Sequence, residues 1–193
     1  MSVSGRPCAR SATRVDALPE PLATIAASDG APGLTLRDHG PRHWKCVALT
    51  GLELASRDRG VDLATVIAFA QLHDSQRLNE FHDPQHGPRA AAIASAAIAA
   101  GRLPGFDAGT RHASQLVEAI RDHTTSARTA DPTIGACWDA DRFNLWRVGI
   151  EPSVEFISTA AGCTSFVALS AYARSLIEGP EPTWNEVIAR TRQ

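Results

Sequence analysis

The sequence predicts an all-helical protein. Three observations lead there: aromatic residues make up only 6% of the chain, alanine is abundant, and strand-like alternation is hard to find, while helix-start signals recur at intervals. Residues 1–16 are rich in Arg and Ser and poor in acid, as a transit peptide or a frayed tail would be. Residues 1–31 are therefore expected to form a flexible N-terminal extension and residues 32–193 a single domain, since no internal repeat or second domain is visible.

Pro41 can occupy the first turn of a helix running to about Arg57, with Val47, Leu49, Leu52 and Leu54 on a mostly apolar face. Asp62 is placed to cap the next helix. That helix carries Leu63, Val66, Ile67, Phe69, Ala70 and Leu72, an almost continuous apolar surface that must be buried on most sides. Asp83-Pro84 and Asp131-Pro132 each set a capping side chain before a proline whose missing N–H costs nothing in a first turn. The first pair is expected to open a helix that continues through Arg89 into AAAIASAAIAA, where so many alanines let neighbours approach closely, and Gly101 is expected to end it. Further helices are expected from about Thr110 to His123, from Pro132 to Trp146, from Thr164 to Ile177, and from Trp184 to the end behind Thr183.

A chain of 193 residues fits one domain with a core large enough to need no staples. Its 19 basic against 21 acidic side chains leave a formal charge of −2, which disfavours a nucleic-acid scaffold or an anionic-membrane binder. A small anionic ligand would need only a local basic cluster. The four cysteines, at 8, 46, 137 and 163, are scattered and contain no CxxC pair, so they read as reduced, mostly packed thiols. With no run of about 18 apolar residues and no apolar signal region, cytoplasm is the simplest compartment.

The sequence contains no GxxxxGK[ST] phosphate loop, no GxGxxG, no GxSxG elbow and no HExxH. What remains is histidine, at 39, 43, 73, 82, 86, 112 and 123. His73-Asp74 lies toward the end of the most apolar helix, an expensive place for two polar groups. A buried carboxylate must be paired, neutralised or bound to a cation, and an adjacent imidazole with an incoming metal satisfies both. A local His–Asp pair near a helix end is the plainer alternative.

The wider order is more specific: His43 early in one helix, His73-Asp74 in the next, His86 in the first turn of a third, His123 ending a fourth and Asp141 inside a fifth. With its local segments HWKCV (43–47), FAQLHDSQR (69–77), HGPRAA (86–91), IRDHT (120–124) and DADRFNL (139–145), the chain resembles the HD superfamily of metal-dependent phosphohydrolases over about Asp38 to Ile150. The likeness is to small stand-alone HD proteins with a DADR segment, and it implies an HD-like helical bundle with the metal site between central helices. It departs from many nucleotidases in carrying Ser-Gln-Arg after the doublet, and only 12 residues separate Asp74 from His86.

The resemblance implies that His43, His73, Asp74 and Asp141 bind one metal. His86 and His123 either hold a second with Asp74 bridging, or make hydrogen bonds to phosphate or to the ligands. Imidazoles and carboxylates without thiolate suit Mn²⁺, Fe²⁺, Co²⁺, Ni²⁺ or Zn²⁺. Asp139 and Asp141 point to different sides of a helix, so only one can face the metal; Asp141 is chosen, leaving Asp139 to orient a ligand histidine or an arginine. The HxxxH pairs 39/43 and 82/86 are not expected to be zinc pairs, because Pro41 and Pro84 leave His39 and His82 outside their helices as surface or supporting groups. His112 reads as a bystander. Arg77, Arg89 and Arg142 lie near the ligands, either to clamp an anionic substrate or as solvated helix residues. Trp44 and Trp138 either wall a pocket or pack in the core.

The expected function is hydrolysis of a nucleotide or similar small phosphorylated metabolite by attack of metal-bound hydroxide, with Asp74 as the catalytic carboxylate. The alternatives are a dinuclear-iron oxygenase on the same fold, or a non-catalytic metal- or nucleotide-binding module. The expected partner is the small substrate, with no nucleic acid or membrane; a homodimer is compatible with the C-terminal helices.

Overall fold

Every regular element among the described residues, 29–192, of this computed structural model is helical. Helices span Pro41–Ala55 (α1), Leu63–Leu72 (α2), His86–Ala99 (α3), Arg111–Asp122 (α4), Pro132–Phe143 (α5), Ala160–Thr164 (α6), Phe166–Glu178 (α7) and Trp184–Arg190 (α8). Residues 1–28 of the expected N-terminal extension, and Cys8 with them, lie outside the described residues.

The centre of the bundle is α2. From Ala64 to Leu72 every residue is buried, because α1, α4 and α5 all pack against it; a helix apolar all round has no face to give to water. Asp62 caps it as expected, its carboxylate accepting from the Thr65 N–H at 2.8 Å. Helix α1 starts at Pro41 and lies against α2, α5, α7 and α8. Its approach to α2 depends on Gly51, where a Cβ would stand 2.4 Å from Val66 Cγ1.

Helices α3 and α4 form an antiparallel-type pair whose seam is lined by Ala90, Ala94 and Ala97, all buried, opposite Ala113, Leu116 and Ile120. The alanines permit that close packing, as the sequence implied. Gly101, at φ +65°, ends the helix, with its N–H returned to the Ile98 carbonyl and that of Arg102 to Ala97. Helix α4 is capped by Thr110, and α5 by Asp131, which accepts from Thr133 and Ile134.

Three boundaries differ from the expectation. Helix α3 begins at His86 rather than at Pro84, because the Asp83 carboxylate accepts from the Leu78 N–H at 2.9 Å and from Arg89 instead of capping a first turn. Helix α5 stops at Phe143; Asn144–Val148 tightens into a 3₁₀ turn closed by Gly149 at φ +74°. The helix expected over 164–177 is α7, starting two residues later at Phe166, and a short helix that was not expected, α6 behind a Thr159 cap, precedes it across a break at Ser165. Thr183 and Glu186 close a reciprocal capping box at α8, as placed.

Cys46 and Cys137 are buried thiols and Cys163 is half-buried. No helix among the described residues is long and apolar enough to cross a membrane.

Candidate metal centre

Five helix ends meet around one carboxylate. His43 sits in the first turn of α1, His73 caps the C-terminus of α2 with Asp74 next to it, His86 opens α3, His123 follows the last residue of α4, and Asp141 lies in the final turn of α5. Helix termini bring backbone carbonyls and N–H groups with them, and the site uses the carbonyls. His73 Nδ1 faces the Phe69 and Ala70 carbonyl oxygens at 3.2 Å each, His123 Nδ1 faces the Ile120 carbonyl at 2.7 Å, and His86 Nδ1 faces that of Asp83. A carbonyl oxygen can only accept, so these three Nδ1 atoms carry the proton in neutral imidazole and each Nε2 presents a lone pair.

Those lone pairs converge. His86 Nε2 is 2.9 Å from His123 Nε2 and 3.0 Å from Asp74 Oδ1, which is itself 3.8 Å from His123 Nε2. On the other side His43 Nε2 is 3.2 Å from His73 Nε2, 3.1 Å from Asp141 Oδ1 and 3.7 Å from Asp74 Oδ2, and His73 Nε2 is 3.6 Å from Asp74 Oδ2. The two groups, His43-His73-Asp141 and Asp74-His86-His123, are thus joined by the two oxygens of a single carboxylate.

Acceptors facing acceptors in a buried space repel unless a cation lies between them. The spacing suits one. Donors about 2.0–2.2 Å from a common ion, at angles of 90–120°, stand roughly 2.8–3.8 Å apart, and within the two donor groups only His73 Nε2 to Asp141 Oδ1, at 3.9 Å, lies beyond that range. Asp141 Oδ1 adds a second sign, being fully buried without a hydrogen bond although His43 lies beside it. The carbonyl-held Nδ1–H groups of three histidines are the outer support that metal-ligating imidazoles usually have; His43 Nδ1 alone finds none. These buried groups can therefore hold a metal ion, and nitrogen and oxygen donors without sulfur fit a divalent transition metal.

The electrostatics agree with that use. Burial, then the Arg147 guanidinium, pushes the His43 pKa down to about 3, and burial takes His73 down to about 4, so both stay neutral and able to bind. Burial would raise the carboxyl of Asp74, but the surrounding His73, His123, His86 and His43 hold it well below its ordinary value. Asp141 is held down likewise by His43 and Arg147 against burial. Burial lowers His123, yet Asp74 and Asp141 outweigh it and leave that imidazole raised. Phe69 closes the floor, stacked on His73 with ring centroids 4.8 Å apart.

All six proposed ligands converge, and Asp141 rather than Asp139 faces His43. Asp139 does not orient a ligand: turned the other way, it accepts from the Ser158 and Thr159 N–H groups at 2.7 and 2.8 Å and from the Thr159 hydroxyl, tying the 157–159 segment to α5. Of the three arginines, only Arg77 reaches the cluster, its Nη1 4.0 Å from Asp74 Oδ1 and 3.3 Å from His86 Nδ1. Arg89 donates to the Gln76 carbonyl and Asp83, and Arg142 to the Phe156 and Ser126 carbonyls, so both bind loops rather than face the ligands. Trp44 and Trp138 are core residues whose indole N–H groups reach the His39 and Ala119 carbonyls.

Two groups near the site were not singled out by sequence reasoning. Arg147 Nη2 stands 3.7 Å from Asp141 Oδ1, and Glu80 pairs with the buried His39 at 2.8 Å beside His43. Neither carries a sequence signal: Arg147 lies in the 3₁₀ turn after α5 and Glu80 in the 73–85 loop, where spacing fixes no direction.

Fold and site together define an all-helical bundle with a buried histidine–carboxylate centre able to bind metal. No protein-family model, curated protein or solved structure matches the chain.

Proposed function

We propose that the protein is a metal-dependent phosphohydrolase of the HD type, acting on a nucleotide or another small phosphorylated metabolite. The observation that carries this reading is the placement of Asp74, whose Oδ2 faces His43 and His73 while its Oδ1 faces His86 and His123. On this reading His43, His73, Asp74 and Asp141 hold one ion, and His86, His123 and Asp74 a second. Divalent metals bound there would supply Lewis acidity toward a phosphoryl oxygen and would bring the pKa of water toward neutrality.

The protein's own groups do the rest. Asp74 remains ionised among its imidazoles and, on this reading, orients the attacking water, whose proton passes to the departing oxygen. Arg77 at one edge and Arg147 at the other set positive charge where phosphoryl oxygens would lie. Hydrolysis forms one P–O bond to the water oxygen and breaks that to the leaving alcohol, which departs with a proton. No oxidant is needed.

A panel of phosphomonoesters, nucleotides and phosphodiesters with Mn²⁺, Co²⁺ and Ni²⁺ tests this. Release of phosphate from monoesters, or of monoester from diesters, is expected, falling roughly a hundredfold or more in Asp74→Asn. The same two groups joined at Asp74 also suit a dinuclear-iron oxygenase. Oxygen consumption by iron-loaded protein, without phosphate release from any compound, would favour that reading instead.

A further inference from the structure

Beside His43 a cavity of about 200 Å³ opens, lined also by Arg37, Asp38, Arg42, Arg147 and Ile177. Three of its lining residues are arginines against one aspartate, with Cys46 and Ile177 supplying apolar wall, on a chain whose formal charge is −2. The three arginines differ in how they are held. Arg37 is exposed and paired with Asp38. Arg42 spends Nη2 on the Ile177 and Gly179 carbonyls at the end of α7, 2.7 Å each.

Arg147 is the buried one, its side chain 10% exposed. Its Nε donates to the Asp38 carbonyl at 2.9 Å and its Nη1 to the Asn144 carbonyl at 3.0 Å, which fixes the plane of the guanidinium. Among the described residues its Nη2 makes no hydrogen bond; Asp141 Oδ1, at 3.7 Å, is too far to accept one. A guanidinium locked by two carbonyls with unspent N–H groups at the edge of a buried donor cluster is organised in advance for a ligand oxygen. Planar N–H pairs fit phosphate better than a point charge does. The space is below the roughly 300–1,000 Å³ of sites for drug-sized ligands, so it takes a compact anion and not a base with its ribose.

We infer that this cavity is the substrate-anion seat of the site, binding the phosphate end of a compact phosphomonoester rather than a nucleotide, with Arg147 as its innermost contact. The identity of the reacting group rests on the phosphohydrolase reading; the anion seat itself rests on the cavity and the arginines. Binding is read separately from turnover by titrating metal-free, full-length protein with inorganic phosphate in a calorimeter. The wild type is expected to bind phosphate, and Arg147→Lys, which keeps the charge but loses the planar fork, to weaken it roughly tenfold or more. Arg57→Gln, at the far end of α1, is expected to match the wild type.

Absence of phosphate binding in the wild type would overturn the seat, as would unchanged affinity in Arg147→Lys with its circular dichroism intact. A kcat/KM for adenosine monophosphate above that for glycerol phosphate would overturn the compact-substrate assignment. If phosphate binds through Arg147 but no phosphoester is cleaved, the seat stands and the hydrolase reading falls. If esters are cleaved while binding ignores Arg147, the reverse holds.

Discussion

Asp74 carries more of the site than any other side chain, because one residue supplies an oxygen to each donor group. The imidazoles around it set the response to pH. His43 and His73 have folded pKa values of about 3 and about 4, against about 6.5 for an unfolded histidine. Between those values and 6.5 the unfolded chain binds more protons than the folded one, so stability is lost as pH falls through that window. His123, raised by its carboxylate neighbours, works in the opposite direction, and Asp74 and Asp141 stay ionised throughout. Two histidines outweigh one, and metal-free protein is expected to melt at progressively lower temperature from pH 6.5 toward pH 4. A midpoint that stays level or rises over that range, followed by circular dichroism, would contradict the burial of these imidazoles as neutral groups.

Among the helices, the α3–α4 pair decides whether the second donor group exists. At Gly87 a Cβ would lie 2.9 Å from both the Ile120 and Arg121 carbonyl oxygens and 3.3 Å from His123 Cε1, and a backbone carbonyl cannot swing aside as a flexible side chain can. Gly87→Ala is therefore expected to prise His86 from His123, costing about 1–3 kcal/mol and the second ion together. Denaturant unfolding and metal analysis of the variant would check both; full metal content at unchanged stability would count against the close approach. Much of this level was readable in advance. Asp62, Asp131 and Thr183 announced their helices because a capping side chain bonds within three residues of itself. Asp83 misled because its carboxylate is claimed by Leu78 and Arg89 across a loop, a choice that no local pattern records. The candidate ligand set was legible only through the resemblance of its order along the chain to a known pattern, whereas the targets of Arg89, Arg142 and Arg147 depend on distant segments that no such pattern records.

At the scale of the whole molecule, the candidate ligands come from the ends of five helices that span His43 to Asp141, and none of those helices holds a complete set alone. Metal binding would therefore cross-brace the bundle. Since the unfolded chain cannot assemble that constellation, metal is expected to stabilise the fold by about 2.7 kcal/mol for each ion bound at a hundredfold excess over Kd, seen as a rise in Tm that chelator reverses. The same bundle leaves Phe81 and Val167 largely exposed, and neither lies among the donor groups.

The most direct measurement is metal content per chain by mass spectrometry on the wild type and Asp74→Ala, with helicity monitored alongside. Two ions in the wild type and a loss of both in the variant, at nearly unchanged helicity, are the expected result. A wild type that takes up no divalent metal, or a variant that keeps its ions, would contradict the account.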